Sequence, residues 1–207
     1  MLRWLKKKLN AVEESLNGEE IVKVDALAAA HMPGDLALLV IDVQKQFCGT
    51  KTLDEKAEKI QAKAAEFRAA GVAVYAIHYT EDDEIGAKDP AKIDFFKFRP
   101  RPQDTLVRKT EVSAFAGSDI ESVLRKDGRK SLIACGFYTS ACVRDTVLDA
   151  RGAGFDVCLL VDLTADYFAP VLPSTLEEMR RAKIEVTQSA AVLRRVRALS
   201  FVGPVRP

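Results

Sequence analysis

Three side chains of this sequence have the types and positions to do chemistry together. Asp42 closes the apolar run "LALLVIDV", Lys109 ends "DTLVRK", and Cys142 follows the apolar run "LIACGF" by a few residues. A thiol at a helix start feels the positive end of the helix dipole, and a nearby lysine adds to that field. Both favour the thiolate. A carboxylate can take the thiol proton and later hand it to a leaving group. The first amides of a helix can hold an oxyanion. Such a set would add a thiol to a carbonyl or imine carbon. Each residue also has a plain structural use. Asp42 can end a strand or cap a turn, Lys109 can be a solvated lysine, and Cys142 can be a small buried hydrophobe.

The elements that must position them read as alternating strands and helices. Continuous apolar runs, "LALLVIDV", "VAVYAIHY", "LIACGF" and "DVCLLVD", suit strands buried on both faces of a parallel sheet. "TLVRKT" and "KIEVTQ" are shorter strands. Between them lie helical stretches. "LDEKAEKIQAKAAEFRAAG" stops at Gly71, and "SDIESVLRKDG" has Ser118 as N-cap and Gly128 as stop. "SACVRDTVLDARGAG", "PSTLEEMRRA" and "SAAVLRRVRAL" complete the series. This order predicts an α/β domain with a mostly parallel sheet. Ligands of such sheets bind beyond the carboxyl ends of the strands, where strand order reverses. Asp42, Lys109 and Cys142 all stand at such ends.

The totals narrow the function classes. The 207 residues suit one domain of 36–200, with an N-terminal helical extension over 1–35 and a tail over 201–207. Lysine and arginine number 31 against 30 acidic residues, which argues against a nucleic-acid partner. No apolar run approaches the length that crosses a membrane. Leu2, Leu5, Leu9, Val12 and Leu16 recur at helical spacing, so the extension reads as a surface or intersubunit helix. Its lack of an apolar signal core, together with Glu13 and Glu14, argues against secretory and mitochondrial addresses. Four cysteines without a C-x-x-C pair suggest free thiols and a cytoplasmic location. Two histidines, His31 and His78, give little support to a histidine-rich metal site.

The segments resemble the isochorismatase-like cysteine hydrolases. "LLVIDVQKQF" is similar to the family's first strand, matching Asp42 and Gln44. "LVRKTEVSAFAGSDIESVLR" resembles its K-x-x-x-S-A-F segment, matching Lys109, Ser113 and Phe115. "LIACGFYTSACVRDTVLDARGAGFDVCLLVDLTAD" resembles its nucleophile strand, loop and helix, with Gly136, Thr139 and Cys142 at the expected spacing. The resemblance runs from about residue 36 to about 195. It implies a three-layer α/β/α fold with a six-stranded, mostly parallel, Rossmann-like sheet of order 3-2-1-4-5-6. It implies a catalytic triad of Asp42, Lys109 and Cys142, a cis peptide between Phe137 and Tyr138, and an oxyanion hole from the backbone N–H groups of Tyr138 and Cys142.

The resemblance also implies a hydrolase of a small molecule, cleaving a C–N bond of an amide or ureido group. A vinyl ether cleavage of isochorismatase type, or a non-catalytic binding or assembly role, is the alternative. Gln44, Phe47, Phe115, Tyr138 and Thr139 are the expected substrate contacts, with Tyr167 and Phe168 closing the rim. Homologous chains are often dimers or tetramers, so a homo-oligomer is expected. No cofactor and no metal are expected, because His78 lacks a partner at ligand spacing and "EDDE" reads as a solvated loop. Cys135 and Cys158 lie in apolar strands and should be inert, and Cys48 should be structural. Phe137 and Tyr138 depart from the small residues usual before Thr139, and the pair is expected to shape the pocket.

Overall fold

A computed structural model describes residues 32–80 and 94–201. The proposed arm over residues 1–20, His31, the acidic cluster at 81–84 and the tail from 202 lie outside them.

Six strands form one parallel sheet in the order β3-β2-β1-β4-β5-β6. They are β1 (Leu36–Ile41), β2 (Ala73–Tyr79), β3 (Thr105–Lys109), β4 (Ser131–Phe137), β5 (Asp156–Ala165) and β6 (Glu185–Thr187). The helices are α1 (Lys51–Ala69), α2 (Ile120–Lys126), α3 (Arg144–Gly152), α4 (Leu172–Arg181) and α5 (Ser189–Phe201). Every residue of β1 and β4 is buried, as their unbroken apolar runs require. Leu36, Leu38 and Val40 face one core layer, which takes in Leu53, Ile60 and Phe67 of α1 and Val192 and Val196 of α5. Ala37, Leu39 and Ile41 face the other, with Leu124 of α2, Val147 of α3 and Met179 of α4. Each fully buried side chain of this kind stabilises by ~1.5–3 kcal/mol relative to exposure.

Boundaries differ from the sequence reading in explicable ways. Helix α1 starts at Lys51, because the Thr50 side chain accepts the Leu53 N–H at 3.3 Å. Ser118 is not the N-cap of α2. Asp119 holds that position, while Ser118 Oγ accepts from Ile120 N and donates to the Ala114 carbonyl. Strand β6 keeps three residues of its predicted six, being an edge strand paired on one side. Strand β5 runs to Ala165, past the predicted Asp162, through an irregularity. Ala134 faces Leu159, and Gly136 already faces Thr164.

Gly136 sets how closely the central strands approach. It faces Ile41 across the β1–β4 pair at φ +123°. A Cβ there would lie 1.9 Å from the Ile41 carbonyl oxygen. No side chain fits, and the backbone conformation itself favours glycine. Gly136→Ala should therefore lose upwards of about 2 kcal/mol in urea unfolding. Gly152→Ala, where nothing lies within 4 Å of the new methyl, should change stability by less than about 1 kcal/mol. Equal losses for the two would contradict the close approach.

Candidate active site

The end of β1 is built to present a carboxylate. Asp42 takes φ +51°, a left-handed conformation that aspartate tolerates better than most side chains. Its N–H still donates to the Ile77 carbonyl of β2 at 3.0 Å, and Gln44 N–H donates to its carbonyl at 2.7 Å. Lys109, at the end of β3, pairs with Tyr79 of β2 in register. Its side chain reaches past the end of β2, so that Nζ lies 2.8 Å from Asp42 Oδ2. Both side chains are 0% exposed. The Lys109 ammonium also donates to the carbonyls of Glu111 and Val112, at 3.0 and 2.9 Å. Two carbonyls thus accept from the ammonium, the Asp42 carboxylate stands in ion-pair contact, and Nζ sits 5.1 Å from the Tyr79 ring centroid.

The thiol arrives from β4. The Phe137–Tyr138 peptide is cis, and the chain then enters a π-helical turn, Thr139–Val143, before α3. Cys142 lies in this turn and not in the first α-helical turn that its sequence suggested. Ala141 and Val143 N–H both donate to the Tyr138 carbonyl at 3.1 Å. The half-buried Cys142 thiol lies close enough to Asp42 and Lys109 for both charges to act on it. The three residues singled out by type and spacing therefore meet.

Their electrostatics reverse one expectation. The thiol was expected to sit low, helped by the helix dipole and the lysine. Instead its pKa is pushed up to about 12, by burial first and the neighbouring Asp42 carboxylate second, and Lys109 offsets this only in part. Burial also raises Asp42, against the pull of Lys109. A buried thiol beside a carboxylate keeps its proton at neutral pH, so a thiolate here needs a proton acceptor, and Asp42 is the carboxylate beside it.

The expected pocket residues divide. Phe47 and Tyr138 meet edge-on at 5.7 Å between centroids, and Phe47 also tilts against Tyr79 at 6.4 Å. Phe47 and Tyr138 are part-exposed, so they form an aromatic wall. Tyr167 and Phe168 are strongly exposed, at 75% and 63%. Gln44 serves as a clamp. Its amide nitrogen donates to the Tyr79 carbonyl at 3.0 Å, and its oxygen accepts the Tyr79 N–H at 2.8 Å. Thr139 is fully buried, with its hydroxyl 2.7 Å from that of Thr164, so it anchors the turn and does not line a pocket. Phe115 does not face the mouth either. It packs edge-on, at 5.8 Å, against Phe155, which precedes the opposite end of β5. Of the unusual pair, Phe137 is fully buried in the core, and only Tyr138 reaches the mouth.

Cys135 and Cys158 are buried, and burial raises both thiols. Cys48 is raised to about 11, by burial and then by Asp54. His78 is buried edge-on to Phe95 and depressed to about 4, by burial and then by the charges of Arg108 and Lys109. A neutral imidazole against an aromatic ring is poorly placed as a base. Among the described residues no group of three His, Cys, Asp or Glu could hold a metal ion.

Sequence reasoning passed over Tyr79, Thr164, Ser140 and Asp166. Thr164 Oγ1 donates to the Gly136 carbonyl at 2.9 Å. Asp166 accepts from Ser140 N–H at 3.1 and 3.2 Å and from its hydroxyl at 2.6 Å. Thr164 and Asp166 both close the segment that carries the resemblance, "LLVDLTAD", just past the expected end of β5, and neither was singled out there.

Residues 36–191 match the isochorismatase domain family. The chain belongs to the isochorismatase family. A streptothricin hydrolase of Streptomyces noursei is 30% identical over 182 residues, 81% of this chain and 65% of that one. This family member thus spans a little under two thirds of that relative's length. A cysteine hydrolase from Pseudomonas syringae pv. phaseolicola 1448A superposes with a TM-score of 0.73. At 24% identity over 88% of this chain and 99% of that one, the likeness concerns the fold. A pyrazinamidase of Pyrococcus horikoshii, solved in complex with zinc, has a TM-score of 0.65 and 26% identity. It covers 74% of this chain and 99% of its own. These named proteins are hydrolases.

The thiol's environment yields a signed prediction. Iodoacetamide reacts with the thiolate, so Cys142 should alkylate slowly at neutral pH and accelerate up to high pH. Asp42→Asn removes a charge that raises the thiol. The midpoint of alkylation against pH, followed by peptide mass spectrometry, should then fall from about 12 towards the ordinary thiol value. An unchanged profile would mean that Asp42 does not act on Cys142.

Proposed function

We propose that this chain is a hydrolase that cleaves a C–N bond of a small amide or ureido compound through a thioester on Cys142. The observation that carries the reading is the contact of a neutral thiol with a buried carboxyl and ammonium pair. The Asp42 carboxylate takes the thiol proton as Sγ attacks the carbonyl carbon. The Tyr138 and Cys142 N–H groups hold the oxyanion. Lys109 offsets the charges on Asp42 and Sγ. As the C–N bond breaks, Asp42 returns the proton to the leaving nitrogen. Water, deprotonated by Asp42, then attacks the thioester, and the thiol regains its proton as the acid leaves. Phe47 and Tyr138 offer ring faces and edges to a flat substrate. The pyrazinamidase among the similar structures supports an amide.

A second reading follows from the raised Asp42. Burial raises Asp42, and in its protonated form the carboxyl can donate to a vinyl ether, with the thiol as a bystander. The two readings separate in one experiment. Amides, ureides, nicotinamide and isochorismate are assayed with the wild type and Cys142→Ala, and intact mass is followed during turnover. The C–N reading expects an acyl adduct on Cys142 and a loss in Cys142→Ala of at least about a thousandfold. Isochorismate turnover surviving in Cys142→Ala would establish the vinyl ether route. No turnover of any compound would favour a binding or assembly role.

A further inference from the structure

Two contacts from the end of β5 grip the turn that carries Cys142. One is buried, the hydroxyl of Thr164 against that of Thr139. The other is the half-buried Asp166, whose two oxygens take three contacts from Ser140. Ser140 stands between Tyr138 and Cys142, inside the π-helical turn. A carboxylate is suited to this task because both oxygens accept. An amide would retain one acceptor, and an alanine none. Asp42 after β1, Lys109 from β3, Cys48, Tyr138, Asp166 and Tyr167 on the mouth side, and the Arg144–Asp145 pair that follows are ionisable groups around the turn.

We propose that Asp166 is a positioning residue: acting through Ser140, it holds the π-helical turn so that the Cys142 thiol stays against Asp42. The proposal rests on Cys142 being the reacting group and adds the device that keeps it in place. If the hold is released, the thiol leaves its buried contact with the carboxylate. It then becomes an ordinary, more exposed thiol that is more reactive towards bulk reagents and less able to pass its proton to Asp42.

The test uses the full chain and iodoacetamide, with the alkylation of each cysteine followed by peptide mass spectrometry across pH. In Asp166→Ala the Cys142 midpoint should move down, and its rate near pH 8 should rise about tenfold or more. Cys48 should keep its rate, and Cys135 and Cys158 should stay protected, which reports an intact core. Asp166→Asn removes the charge but keeps an acceptor, and should stay within about threefold of the wild type. Ser140→Ala keeps the charge but loses the 2.6 Å bond, and should move in the direction of Asp166→Ala. If Asp166→Asn moves as far as Asp166→Ala, the effect is charge alone and the proposal fails. It fails equally if Asp166→Ala and Ser140→Ala both superpose on the wild type. Should Asp166→Ala not fold, the contrast between Ser140→Ala and Asp166→Asn decides alone. Labelling needs no substrate, so this outcome is independent of whether Cys142→Ala loses turnover.

Discussion

The site is organised by a buried ion pair. Asp42 and Lys109 are both fully enclosed, and their charged atoms are 2.8 Å apart. Neither could sit there alone, because an unpaired charge in a dry interior is far less stable than a hydrated one. The pair joins two strands that are not neighbours. Strand β2 lies between them, and Lys109 closes the gap over its end while donating to two carbonyls of its own loop. The order of the sheet thus becomes a chemical constraint. The carboxylate is held by the crossover that brings β3 to the far side of β2.

The same burial governs where the proton rests. Low exposure raises the thiol and the carboxyl together, and the ammonium offsets part of each shift. A site tuned for a resting thiolate would need the positive charge to dominate. Here the Asp42 carboxylate acts on the thiol more strongly than the ammonium does, and burial favours the neutral forms. In the thioester reading the nucleophile is therefore made on demand, by a proton passing from the thiol to Asp42. That requirement makes the placement of the thiol relative to Asp42 more important than its intrinsic acidity. The contacts of Thr164 and Asp166 on the turn belong to the same requirement.

Much of this was legible in the sequence, and the reason is the parallel sheet. Buried strands read as unbroken apolar runs, so the residues that interrupt them mark the carboxyl ends, where such folds bind ligands. Asp42, Lys109 and Cys142 were found in that way, and all three meet. Side-chain direction was not legible. Phe115 shares a motif with Lys109, yet its ring turns to Phe155 at the other end of the domain. Thr139 stands three residues before the thiol, yet its hydroxyl is bound inside. Asp166 closes the segment that carries the resemblance, yet its contact with Ser140 was not legible, because β5 runs on past its expected end through an irregularity that no periodicity reveals. The thiol's acidity was misjudged because the dipole is visible in a sequence and the extent of burial is not.

The adjacent bulky residues Phe137 and Tyr138 show how one local departure can serve two ends. Strand β4 alternates its faces, and Phe137 is the last residue still inside the sheet, so its ring fills the core layer shared with α1 and α5. Past the cis peptide the chain is no longer strand, and the next ring turns outward to meet Phe47. Phe47 in turn leans on Tyr79, whose backbone is clamped by Gln44 and whose ring lies beside the Lys109 ammonium. Tyr138 therefore sits on a chain of contacts that leads from the mouth to the buried ion pair.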